Sequence, residues 1–326
     1  MLSTGKLRHG GIMVNYRCNA ACRHCLYSCS PTRRAGYINM ACAAGICGLL
    51  VKGGCRSVHI GGGEPFLDFE GLLMTVRALR NAGIRLEYIE TNGFFAQGGK
   101  AGEYLHRLLD EGVDTLCISL DPYHAEHVPY GAPLELARLC GETGMGFFLW
   151  KEEYLRQLSG LSPQKAHSRQ EMENAICTDY IGRTAVSYGI GYGGRAVNIE
   201  NEFAATPARP AEEFAQDKSP CTNLLSSGHF HVDMDGFFIP PHCTGIRIPL
   251  SEAAFCIPEG SYPVFRALYN GGISALLDFA LHQGFSPDSC GYPSKCNLCF
   301  FARSFLCGKG FDELDSDHYA EALKYY

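Results

Sequence analysis

The first half of this chain predicts an α/β fold built on a parallel sheet, with a small cysteine-rich module behind it. Strand-like apolar runs alternate with helix-like segments from Gly11 to Leu149, the pattern of successive βα units. The residues with chemical character fall where those strands end, the reactive edge of a parallel βα barrel. The cysteines are unevenly spread, one tight group near the front and a looser one near the back. Periodicity alone leaves a doubly wound sheet and a barrel both open.

Gly11–Asn15 reads as a short buried strand that delivers a cysteine-rich loop. Asn39 is placed to cap a helix running through Ala41 to about Lys52, stopped by Gly53 and Gly54. Ser57–Ile60 is the second strand, and Asp68 caps a helix with Leu72, Leu73, Val76 and Leu79 on one face. Arg85–Thr91 and Thr115–Ser119 are the third and fourth strands, with a helix over 101–111 between them. A helix over 133–143 and a strand at Gly146–Leu149 follow. The stretch from Lys151 to Arg183 is polar and helical, and a further strand is expected at 184–190. These elements divide the chain into an α/β unit over 1–200, a proline-containing linker over 201–220, a cysteine-rich module over 221–310 and a closing helix over 311–326.

Composition narrows the function class. With 326 residues, 46% hydrophobic and 19% charged, the chain can bury a sizeable core. A net charge of −6 argues against a nucleic-acid partner. No apolar run approaches a membrane span, and the first residues lack the apolar core of a secretory signal, so a cytoplasmic location is expected. Seventeen cysteines in such a chain are not a disulfide scaffold. Cys42, Cys47, Cys117 and Cys140 sit in apolar stretches and read as small core residues.

Cys18, Cys22 and Cys25 form a Cys-x3-Cys-x2-Cys array. Three thiolates leave one iron of a [4Fe–4S] cube without a protein ligand, and an open iron is a place for chemistry. A zinc knot would need a fourth ligand at matching spacing. A ferredoxin-type cluster could recruit Cys29, but ferredoxins space their first two cysteines by two residues and place proline directly after the last. Here Ser30 precedes Pro31.

The array resembles that of the radical S-adenosylmethionine (SAM) superfamily, and the motifs downstream extend the resemblance. Gly61-Gly62-Gly63-Glu64-Pro65 is similar to the family's Gly-Gly-Glu-Pro element, which implies that Gly62, Gly63 and Glu64 receive the SAM amino group. Thr91 and Asn92 match a Thr-Asn-Gly element close to SAM. Ser119 and Asp121 match a Ser-Leu-Asp that reaches the SAM ribose or carboxylate. Arg195, in Gly194-Arg195-Ala196, resembles an element of relatives with C-terminal cluster domains, where an arginine suits a carboxylate. The family usually has an aromatic residue before the third cysteine, near adenine; this chain has His24. His59 is expected to be an oriented barrel residue, and His124 and His127 surface loop residues. The resemblance implies a partial (β/α)6 barrel.

At the back, Cys221 and Cys243 flank a hairpin turn at Asp233–Gly236, and Cys296-Asn-Leu-Cys299 is a tight pair. This resembles the SPASM domain and its shorter twitch form. Six plausible cysteines rather than seven imply one auxiliary [4Fe–4S] cluster on Cys221, Cys243, Cys296 and Cys299, with Cys290 and Cys307 as alternates. Zinc on the same four thiolates is the competing reading.

The family's chemistry implies reductive cleavage of SAM to a 5′-deoxyadenosyl radical that abstracts hydrogen from a substrate C–H bond. It also implies a low-potential electron donor such as flavodoxin or ferredoxin. The expected function is modification or crosslinking of a ribosomally made peptide. The alternatives are a twitch-type dehydrogenase or rearrangement enzyme acting on a small metabolite, and an electron-transfer protein without a substrate.

Overall fold

The computed structural model describes residues 2–191, 193–204 and 207–324; the last two residues of the expected closing helix, Tyr325 and Tyr326, lie outside them. The strands are β1 (His9–Met13), β2 (Ser57–Gly61), β3 (Arg85–Thr91), β4 (Thr115–Ser119) and β5 (Gly146–Trp150), followed by β6 (Phe230–Val232), β7 (Phe237–Ile239) and β8 (Ile248–Pro249). Between β1 and β5 run α1 (Met40–Lys52), α2 (Phe69–Asn81), α3 (Ala101–Asp110), the one-turn α4 (Pro122–Ala125) and α5 (Gly131–Thr143). The side chains of Asn39 and Asp68 do cap α1 and α2, each accepting a backbone amide. After β5 come α6 (Leu155–Leu158), α7 (Arg169–Ala175), α8 (Tyr180–Tyr188), α9 (Ala196–Phe203) and α10 (Ala211–Phe214). The back half adds α11 (Leu250–Ala253), α12 (Pro263–His282), α13 (Lys295–Cys307) and α14 (Ser316–Leu323). Among the described residues no helix is long and apolar enough to cross a membrane.

One open sheet of eight strands runs in the order β5-β4-β3-β2-β1-β6-β7-β8. Its first six strands are parallel, and β7 and β8 are antiparallel additions. Side chains alternate across the strands. Val58, Ile60, Ile89, Leu116 and Ile118 are all essentially fully buried, in one apolar core with the helices. His59, Tyr88, Glu90, Cys117 and Phe148 alternate with them and share the opposite, inner face.

Two features differ from the sequence reading. The strand expected at 184–190 is helical instead: α8 buries Tyr180, Ile181, Thr184, Ala185 and Tyr188, a spacing of three to four that suits a helix and not a strand. The sixth parallel strand comes from the back half, where β6 pairs with β1 through Gly10↔Phe230, Gly11↔His231 and Ile12↔Val232. Residues 221–249 therefore extend the main sheet through β6, β7 and β8. The expected hairpin forms, its turn held by Asp233 Oδ1 accepting from the amides of Asp235 at 3.0 Å and Phe237 at 2.9 Å.

Candidate functional site

The loop after β1 brings its cysteines together at the C-terminal edge of the sheet. Cys18, Cys22 and Cys29 are buried and Cys25 is half-buried. Backbone amides already point at two of the sulfurs: Ala20 N–H to Cys18 Sγ at 3.4 Å and Cys29 N–H to Cys25 Sγ at 3.3 Å. Such donors stabilise thiolate and tune a cluster's potential. Hydrogen bonding from Cys29 overcomes burial and, with Arg195 nearby, lowers the Cys25 thiol to about 5; Cys29 is pushed up in return. Cys25 is the ready thiolate of that pair.

The glycine loop after β2 lies directly on this loop. A Cβ at Gly63 would stand 2.0 Å from the Arg17 carbonyl oxygen, so only glycine permits the approach. Gly63 N–H donates to Asn15 O at 2.9 Å, and Asn15 Nδ2 donates to Glu64 O at 2.9 Å. The Glu64 carboxylate is buried and accepts from Phe66 N–H at 3.0 Å, Thr91 Oγ1 at 2.9 Å and Asn92 N–H at 2.8 Å. Burial raises it to about 7 despite those three bonds. Among the described residues no lysine or arginine pairs with it. Asn92 completes the link to the front loop, its Nδ2 donating to Asn19 Oδ1 at 2.8 Å and standing 3.9 Å from Cys18 Sγ. Glu64, Thr91 and Asn92 thus form one bonded unit beside Cys18.

Ser119 ends β4 half-buried. Asp121 is fully buried and caps α4 through His124 N–H at 3.0 Å. It also accepts from His124 Nδ1 at 2.7 Å and Tyr188 Oη at 2.9 Å, with His24 Nε2 at 3.8 Å. Burial pushes Asp121 up, but His124 and His24 outweigh it and hold the carboxyl well below the usual range. His124 is therefore a site residue rather than a surface one. It stays half-buried, and Asp121 raises it against the effect of burial. His24 stacks on Tyr123 at 4.8 Å between ring centroids, and burial lowers it to about 4. Among the described residues its buried Nδ1 has no hydrogen-bond partner.

Arg195 sits beneath the cysteine loop. The guanidinium is buried; Nε donates to Cys22 O at 3.1 Å, Nη2 donates to Cys29 O, and Nη1 lies 3.8 Å from Glu321 of α14. The Arg195 amide donates to Cys25 O at 3.1 Å. A buried arginine that takes carbonyls fixes the loop and places positive charge behind its thiolates.

At the back, Cys221, Cys243, Cys296 and Cys299 converge: the other three bear electrostatically on Cys243. Burial pushes Cys243 up to about 12 and Cys296 up to about 11, with the neighbouring thiols adding to the effect. Buried Arg303 hydrogen-bonds Cys299 and donates to Thr244 O at 2.8 Å. Cys307 ends α13, its sulfur directed at Leu314 O at 3.7 Å, and Cys290 is exposed.

Sequence reasoning passed over Tyr123, His124, Tyr188 and Arg303. The signals were present for two of them. His124 follows Asp121 by three residues after a strand, and Arg303 follows Cys296 and Cys299 at seven and four on one helix face.

Residues 12–144 match the radical SAM superfamily. The putative peptide biosynthesis protein YydG of Bacillus subtilis (strain 168) is 30% identical over 118 residues, 36% of this chain; the match spans 37% of that relative's length. Among solved structures, BtrN in complex with AdoMet and 2-DOIA is 14% identical with a TM-score of 0.46, over 84% of this chain and 89% of that one. SuiB of Streptococcus suis bound to S-adenosylmethionine is 13% identical with a TM-score of 0.38, over 84% and 75%.

Radical SAM domains use a [4Fe–4S] cluster and SAM. The chain's donors fit both groups. Three thiols with amides aimed at two of them suit a cluster, while a buried carboxylate without a cationic side chain and the orphaned His24 Nδ1 suit a polar ligand beside it. Arg195→Met is expected to destabilise the fold by about 3–5 kcal/mol, because Glu321 and two carbonyls lose a buried partner. Denaturant midpoints and chemical iron check this, with iron falling by about half as the front array is lost and the back one stays.

Proposed function

We propose that this protein is a radical SAM enzyme that modifies a ribosomally made peptide. The observation that carries the catalytic part is the joining of the three-thiol loop to the Glu64–Thr91–Asn92 unit at the C-terminal edge of a parallel sheet. Cys18, Cys22 and Cys25 hold the front cluster, and Cys221, Cys243, Cys296 and Cys299 an auxiliary one. When bound, the front cluster and SAM supply a carbon-centred radical able to take hydrogen from an unactivated C–H bond, one electron coming from a low-potential donor protein.

The chain's own residues position and shield. Glu64 receives the SAM ammonium, the cation its buried carboxylate lacks. Gly62 and Gly63 let backbone approach, Ser119 lines the strand end, and His24 with Tyr123 offers a flat surface to adenine. Asp121 keeps His24 and His124 oriented, and Arg195 holds the cysteine loop in register with them.

The peptide reading rests on two supports. The name of the Bacillus subtilis relative points to peptide biosynthesis. The sheet edge is also open: among the described residues β5 pairs with no strand but β4, and Phe147, Phe148 and Trp150 are exposed. An unpaired apolar edge strand suits an extended chain, which gains main-chain hydrogen bonds there and side-chain contacts on alternate residues.

Replacing Cys18, Cys22 and Cys25 together with Ala should abolish 5′-deoxyadenosine formation while auxiliary iron remains; retained cleavage refutes the assignment. SAM affinity should depend on pH through Glu64. Its folded value of about 7 lies above the ordinary carboxylate, so its contribution to stability is present at low pH and is lost as pH rises through 7. An ammonium ligand pairs with the ionised form, so affinity falls by about tenfold per unit below pH 7. In Glu64→Gln that dependence should flatten, as read by calorimetric titration from pH 5 to 8. Phe148→Ala, on the inner face of β5, should raise KM for the peptide several-fold and leave peptide-free SAM cleavage unchanged. Stimulation by a small metabolite and not by peptide would turn the reading to the metabolite class.

A further inference from the structure

Three histidines meet on the inner face of the sheet, apart from either cysteine array. One ring nitrogen from each of His59 on β2, His231 on β6 and His229 just before it lie within 4.8 Å of one another. The Nε2 atoms of His59 and His231 are 3.0 Å apart. The rings converge from three directions, His229 nearly parallel to His59 and His231 edge-on to both. The strand between them makes this possible: Gly11 pairs with both His59 and His231, and a Cβ there would stand 2.3 Å from His59 Nε2 and 2.6 Å from the His231 ring.

We propose that His59, His229 and His231 hold a divalent transition-metal ion of the zinc class, its fourth coordination position left to water or substrate. Three imidazoles and one open position form a recurrent zinc arrangement, and ligand nitrogens about 2.0–2.1 Å from a tetrahedral metal stand roughly 3.3 Å from each other. The second shell is also present. Tyr27 Oη bonds His231 Nδ1 at 2.8 Å, which leaves Nε2 to face the metal, as ligating histidines require. Burial lowers the pKa of His59 and His231 and so favours the neutral form that binds metal. His229 is exposed, so the site has an entry path from solvent. Glu90 reaches within 3.8 Å of His59 Nε2 and can accept a proton from a metal-bound water. Tyr27 follows Cys25 by two residues, so the site is tied to the front cysteine loop.

The test uses the anaerobically cluster-loaded full chain, equilibrated with zinc and then stripped of loosely bound ions. The expected result is one zinc per chain beyond iron, with an X-ray absorption edge showing nitrogen or oxygen scatterers at about 2.0–2.1 Å and none at the ~2.3 Å of thiolate. His229→Ala changes an exposed side chain and should weaken zinc at least tenfold at constant iron content. Tyr27→Phe should weaken it by about tenfold through the lost second-shell bond. Failure to retain zinc, zinc on sulfur, or unchanged affinity in His229→Ala would each overturn the proposal. In that case the 3.0 Å contact is an ordinary hydrogen bond between neutral imidazoles.

Discussion

Gathering thiolates in a protein interior concentrates negative charge where water cannot screen it, and this chain answers with buried arginine behind each array. Arg195 lies under the front loop and Arg303 beside the back one. Both bind backbone carbonyls as well as facing the sulfurs, so the charge that offsets the thiolates also fixes the backbone that presents them. An arginine suits this better than a lysine, because its planar fork reaches several acceptors at once. Neither array would hold its geometry if these cations were replaced by apolar side chains of similar size, since the carbonyls would be left without donors.

The placement of β6 follows from the same need. Pairing β6 with β1 sets the back-half hairpin against the strand that delivers the front loop. Tyr16 Oη of that loop donates to Asp233 of the hairpin turn at 2.9 Å, while Asp315, at the start of α14, faces Arg33 at 3.4 Å. Glu321 of α14 then reaches Arg195 from below. The segment holding Cys18 to Cys29 is therefore clasped by the sheet, the hairpin and the last helix together. A loop that must hold several sulfurs in fixed positions cannot be left to its own conformational entropy, and the contacts that order it come from the far end of the chain.

That distance explains what the sequence could and could not disclose. The five front strands, the caps at Asn39 and Asp68 and the hairpin at Asp233–Gly236 were legible because each is a local pattern. The front array and Glu64 were legible because spacing and residue type carry the chemistry. The strand expected at 184–190 was not, because its apolar residues allow two periods and only packing against α7 and α9 chooses the helical one. Arg195 showed in the sequence as a charged residue after glycines, with nothing to say that it would lie inside and take carbonyls at Cys22 and Cys29. His59, His229 and His231 are 170 and 172 residues apart along the chain, and only the register of β1 between β2 and β6 brings them together.

The two buried carboxylates at the sheet edge show how the fold prepares a site before a ligand arrives. Glu64 and Asp121 are both enclosed, yet their environments push them in opposite directions. Asp121 has two imidazoles and a phenol for company, so it is ionised and fully committed to orienting them. Glu64 has only neutral donors, which bind its oxygens without matching a charge. Divergent fates for two buried acids fit a division of labour: Asp121 holds the frame, and Glu64 is left free for the cation proposed above. Because Thr91 and Asn92 fix Glu64 through short hydrogen bonds, the ammonium of the proposed ligand would meet a carboxylate that is already aimed, with little ordering left to oppose binding.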